Sequence, residues 1–103
     1  MNWWDFEVID WDDEEDEDGN LAHCLRHGVD ERVVDQVIRS APVMIGMRVR
    51  HAAFAIVGPD YGGTTWTLLF DTSYKRGDWL RPVTGWQSSP EEILEWKRGD
   101  GHA

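Results

Sequence analysis

The spacing of apolar positions along the chain predicts a sequence of short, alternating elements. Phe6, Val8 and Ile9 form a brief apolar stretch ending at Trp11, the pattern of a short first strand with acids on its exposed side. Asp12 to Asp18 breaks that pattern with seven consecutive acids, which repel one another and predict a solvated acidic loop with no apolar surface to bury. Leu21, Cys24 and Leu25 fall at helical spacing before Gly28, giving a two-turn helix over Asn20 to His27. In the next segment Asp30 stands at the N-cap position, and Val33, Val34, Val37 and Ile38 make one apolar stripe, so a second helix follows at once.

Beyond Pro42 the period shortens to that of strands. Three runs follow, Val43 to Val49, His51 to Val57 and Thr64 to Asp71, with a Gly-Pro-Asp-Tyr-Gly-Gly turn at residues 58–63 between the last two. A fourth run, Trp79 to Trp86, contains Pro82, which removes a ladder donor and predicts an edge strand or a bulge. Ser89-Pro90-Glu91-Glu92 is a capping box with proline at the first helical position, so a closing helix is expected from Pro90 to about Arg98, with residues 99–103 frayed. The elements predict one α+β domain over residues 1–103: a short N-terminal strand, two helices, an antiparallel three- to four-stranded meander and a C-terminal helix. Helices are expected on one face of the curved sheet, leaving the other for solvent, partner or substrate.

Charge changes this picture locally. The formal net charge is −10, yet residues 1–18 hold ten acids and no Lys or Arg, and the remainder balances ten acids with ten bases. A neutral body with clustered arginines can still grip phosphate, so the low overall pI does not exclude nucleic acid. Cys24 is the sole cysteine, which rules out an intrachain disulfide and a Cys-based zinc cage and fits a reducing cytoplasm. The longest apolar runs, Ala52 to Val57 and Trp66 to Phe70, are far short of a membrane span, and the acidic start is unlike a secretory leader.

Few residues carry recognisable chemistry. His23 and His27, four apart, share a helix face as two metal ligands would, but Cys24 stands where a zincin needs Glu; the reading that fits better is a helix-end histidine stabilised by the dipole. Aligning Glu14, Asp16, Asp18 and Gly19 to a calcium loop puts Leu25 where a bidentate Glu is required, so no metal or cofactor is expected. Arg48, Arg50 and His51 cluster at a strand junction, and Arg81 lies on the last strand with Trp79 and Trp86. Guanidinium groups for phosphate and rings for base stacking are what a single RNA strand needs, although arginine on an exposed strand face is also ordinary solubility chemistry.

The segment Trp11 to Val29 contains Trp-Asp, then Gly19-Asn20-Leu-Ala-His23, then His27-Gly28-Val29, and it resembles the opening of the BrnT-type toxin family. The stretch from Arg50 through Gly58-Pro59-Asp60 to Gly62-Gly63 resembles that family's central hairpin. Leu80-Arg81-Pro82-Val83-Thr84-Gly85-Trp86, with Ser89, Glu91 or Glu92 and Trp96, resembles its last strand and closing helix. The resemblance implies a RelE-like ribonuclease fold, a place in a type II toxin–antitoxin pair, neutralisation by a small DNA-binding antitoxin, and metal-independent cleavage of RNA.

That cleavage is attack of a 2′-hydroxyl on the adjacent phosphate, which needs a base, an acid and cations for the phosphorane charge. Carried over by position, Arg50 and Arg81 would hold the phosphate and His27 would move a proton; beside them the chain's own residues offer His51 as a second proton carrier, Trp86 to stack a base and Arg48 to supplement RNA binding. Thr84-Gly85-Trp86 replaces the family's Thr-Ala-Arg, so one cation is lost and cleavage should be slow at best. The alternative, from another functional class, is a non-catalytic interaction module whose acidic segment mimics nucleic acid or docks a basic partner.

Overall fold

The computed structural model describes residues 8–40, 42–45, 52, 54–72 and 79–100. In chain order the elements are β1 (Val8–Ile9), α1 (Asn20–Arg26), α2 (Glu31–Arg39), β2 (Val43–Ile45), β3 (Phe54–Pro59), β4 (Thr65–Thr72), β5 (Trp79–Gln87) and α3 (Pro90–Asp100). This is an α+β arrangement in the expected order. The five strands form a single sheet, β1-β5-β4-β3-β2, in which β2 to β5 are an antiparallel meander and β1 adds in parallel beside β5, making the sheet mixed.

Local chemistry explains most of the boundaries. At the end of α1, Gly28 adopts φ 81°, its N–H bonds the Leu25 carbonyl at 3.0 Å, and Val29 N–H reaches the Cys24 carbonyl at 2.9 Å. That pairing closes the helix and buries Val29. Asp30 caps α2 by accepting from Val33 N–H at 2.8 Å. The Ser89/Glu92 capping box is complete: Ser89 N–H donates to Glu92 Oε1 at 2.8 Å and Glu92 N–H to Ser89 Oγ at 3.2 Å.

The core under α1 and α2 consists of Cys24, Val29, Val34, Val37, Ile56, Trp66, Leu68, Phe70 and Leu80, with Ile9, Trp11, Val33, Ile38 and Phe54 packed against it. Each fully buried Val, Leu, Ile or Phe there stabilises the fold by roughly 1.5–3 kcal/mol, so this cluster, not strand pairing, decides the register. Leu25, expected in the same interface, is instead half exposed at 50%.

At Pro82 the bulge, one of the two outcomes expected, is found, and three further expectations need correction. Pro82 does not mark an edge: β5 is interior, and the register passes from Leu69↔Thr84 to Phe70↔Pro82, leaving Val83 as the extra residue of a bulge. Helices cover both faces of the sheet. Val43, Val57, Thr67 and Trp86 are mutual cross-strand partners and so share one face, and α3 lies over it, with Gly99 packed beside Val43 and Glu92 bonded to Trp86. Leu68 and Phe70, facing the opposite way, meet α1 and α2. Second, α3 continues through Gly99 to Asp100, where fraying was expected, because Val43 packs against Gly99 within a distance that no Cβ could share. Lastly, Asp12 is not part of a solvated loop, for reasons given below. The strand ends predicted over residues 46–51 lie outside the described residues.

Candidate functional site

β5 meets the N-terminal half of the chain at a polar junction built around Asn20. Its side-chain Nδ2 donates to the carbonyls of Asp10 and Pro82, each at 2.9 Å, bridging the end of β1 to β5 where the parallel ladder stops. Asn20 N–H donates to Asp12 Oδ2 at 2.9 Å, and Asp12 N–H returns a bond to Asn20 Oδ1 at 2.8 Å. The side chain is buried but fully bonded, which is the condition for a polar group to sit there at little cost.

Arg81 completes the junction. Its guanidinium takes the Asp12 carboxylate at two points, Nη1 to Oδ1 at 3.0 Å and Nη2 to Oδ2 at 2.6 Å, with Asp10 Oδ2 at 3.5 Å. Side-chain exposures of 22%, 17% and 3% for Arg81, Asp12 and Asp10 place these pairs where solvent screens them only partly. Cys24 lies near enough for the Arg81 charge to act on it. Burial pushes the thiol up to about 11, with Arg81 opposing, so Cys24 is protonated at neutral pH and is a packing residue rather than a nucleophile.

Next to this junction a cleft of about 500 Å³ opens between α1 and β5, lined by Asp18, Gly19, Asn20, His23, Arg26, Asp71, Arg81, Pro82 and Val83. The acidic run reaches the cleft at Asp18 after two successive side-chain turns: Asp13 Oδ1 accepts from Glu15 N–H at 2.9 Å, and Asp16 Oδ1 from Asp18 N–H at 3.0 Å. Asp13 to Asp18 are exposed, as the sequence predicts, whereas Asp12 turns inward because Arg81 and the Asn20 N–H together repay its loss of water.

The site residues expected from sequence fall in different places. Arg48, Arg50 and His51 lie outside the described residues. Arg81 pairs with Asp71 and lines the α1 cleft, whereas Trp86 pairs with Thr67 beneath α3, on the other side of the Val83 bulge. They are four partner positions apart, about 13 Å at 3.3 Å per residue. Trp86 is half buried and donates its indole N–H to Glu92 at 3.0 and 3.2 Å, so its ring edge is engaged by α3. Burial raises the Glu92 pKa, but the Ser89 backbone, Trp86, the Ser89 hydroxyl and Thr67 outweigh it and hold the carboxyl below its ordinary value.

His27 is the exposed C-cap of α1, with its ring centroid 4.9 Å from that of His23. Among the described residues no group of three or more His, Cys, Asp or Glu is placed to hold a metal ion. His23, Arg26 and Asp71 are cleft residues that the sequence reading did not place at the site. Spacing could have found the first two, since residues three apart on a helix share a face. Asp71 could not be found that way, because its place depends on the β4–β5 register. No helix among the described residues is long and apolar enough to cross a membrane. Comparison with known proteins finds no matching family model, no matching curated protein and no matching solved structure.

Proposed function

We propose that this chain is a relative of the BrnT-type toxins, with a RelE-like fold. In this reading it works in the cytoplasm as the RNA-directed member of a type II toxin–antitoxin pair, as a metal-independent endoribonuclease of reduced activity. One observation carries the reading. Two of the three stretches of sequence that bear the resemblance, Trp11 to Val29 and Leu80 to Trp86, are far apart along the chain and meet in a single place. Asp12 binds Arg81, Asn20 binds the Pro82 carbonyl, and Gly85 lies against Val29 and Leu68 so closely that a Cβ would collide. Residues that recur in a family for one shared site would be expected to converge in this way.

The chemistry follows from what stands there. Arg81 is the cation at the site whose role the resemblance assigns to phosphate, and Asp12 and Asp10 already offset its charge. A phosphorane that must compete with two carboxylates for one guanidinium gains little stabilisation, so turnover is slow. His27 stands at the margin as a proton carrier, Arg50 completes the set that the resemblance names, and His51 beside it is a second candidate to move protons. Induced expression should slow growth, and the purified chain should cut single-stranded RNA weakly without added metal; Arg50→Ala with Arg81→Ala should remove both effects.

A second reading is favoured by the same ion pairs. With Arg81 engaged and Asp13 to Asp18 exposed, the chain also suits a non-catalytic module that docks a basic partner. Stable high expression without RNA cleavage, together with salt-sensitive capture of a basic antitoxin, would make that the function.

A further inference from the structure

The cleft between α1 and β5 contains two arginines, and one segment of chain occupies both. Arg81 takes the Asp12 carboxylate in a two-point contact, and Arg26 Nη2 donates to the Glu17 carbonyl at 2.6 Å. The acidic run therefore begins on one arginine and ends on the other, and Asp18 closes it at the cleft wall beside His23. The fork that a guanidinium offers to a carboxylate is the same one it offers to a phosphate. Arg26 and His23, one turn apart on α1, line the same space as Arg81, so once Asp12 and Asp18 are drawn away the cleft presents two guanidinium groups and an imidazole, with Asp71 as its one lining acid.

We propose that the cleft is a latent phosphate-binding site formed by Arg26, Arg81 and His23, whose two arginines the chain's own segment 12–18 engages as an intramolecular competitor. For RNA as the ligand this rests on the ribonuclease reading above; the phosphate chemistry itself does not. A tethered competitor acts at an effective concentration in the millimolar range, so a single free phosphate displaces it poorly. A polyphosphate ligand making several contacts, or a basic partner that draws the acids away, shifts the balance. Asp10 and Asp71 remain at the site in either state, so neutralising Asp12 and Asp18 takes the cleft from net negative to neutral before His23 is counted.

Calorimetric titration at low salt tests this with two probes, inorganic pyrophosphate and a ten-nucleotide single-stranded RNA. The Asp12→Asn, Asp18→Asn double variant should bind pyrophosphate about tenfold more tightly than the unchanged chain, a gain of about 1.4 kcal/mol, and adding Arg26→Ala should remove the gain. Asn at 12 keeps an acceptor for the Asn20 N–H, and circular dichroism checks that the fold is retained. Should the double variant fail to fold, Asp18→Asn alone carries the test with a gain of about two- to threefold. Equal pyrophosphate affinity in folded variants overturns the proposal. Tighter pyrophosphate without RNA binding leaves the latent site standing and counts against the ribonuclease reading. RNA cleavage by the unchanged chain that is indifferent to Asp12 and Asp18 upholds that reading and overturns the competitor.

Discussion

Under α2, Val34 and Val37 are buried against Ile56 and the inner face of β4, an interface made of apolar side chains. On the flank beside it, Asp12, Asn20 and Arg81 tie α1 and the end of β1 to β5 through charged and amide groups. The first interface is indifferent to salt and pH and tolerates small changes of shape; the second is directional, and each of its groups depends on the others being present. The contrast teaches that the acidic run has two parts. Asp12 belongs to the fold, whereas Asp13 to Asp18 belong to the surface.

Substitutions that push a charge into one region or remove it from the other sharpen this contrast. Val37→Asp should abolish the cooperative thermal transition, since an unpaired carboxylate in a small core costs on the order of several kcal/mol, comparable with the whole stability of a domain this size. Asp12→Ala comes next, at about 2–4 kcal/mol by urea titration, because it leaves Arg81 and the Asn20 N–H short of an acceptor in a partly screened setting. Were Asp12→Ala to cost as little as an exposed acid, the polar clasp would be ornamental and the apolar interface alone would hold α1.

A smaller, pH-dependent effect belongs to Glu92, whose carboxyl is held below its ordinary value of 4.5. A depressed folded-state pKa contributes stability that is present above 4.5 and is lost as the pH falls through the lower folded value. Thermal midpoints should therefore drop in acid below that point, and Glu92→Gln should flatten the part of the drop that this residue supplies. The smallest effect is expected from replacing Asp13 to Asp18 with Asn and Gln, at about 0.5 kcal/mol or less per position, because Asn at 13 and 16 keeps the turn acceptors and the charges are solvated. Unfolding of that variant at low salt would merge the two parts of the run into one structural unit.

Local chemistry was legible in the chain itself. The Asp30 cap, the Gly28 stop, the Ser89/Glu92 capping box and the order of strands and helices follow from residue types within a few positions of one another, and all are found. The bulge at Pro82 was one of two outcomes left open by a missing N–H, and only the neighbours of β5 selected it. Which face α3 covers was not legible, since its apolar positions are few and its partners, Val43 and Trp86, are brought together by strand register.

The candidate site divides in the same way. Arg81, His27 and the acidic run were visible as residue types that carry charge or protons. That Asp12 would turn out of the run to meet Arg81 was not, because the two lie 69 positions apart and nothing in either neighbourhood distinguishes Asp12 from the acids beside it. Sequence by itself determined the elements and the sign of the charge on each. Tertiary structure alone decided which acid is desolvated, because a carboxylate leaves water only where a guanidinium and a backbone N–H wait for it, and those donors come from β5 and α1.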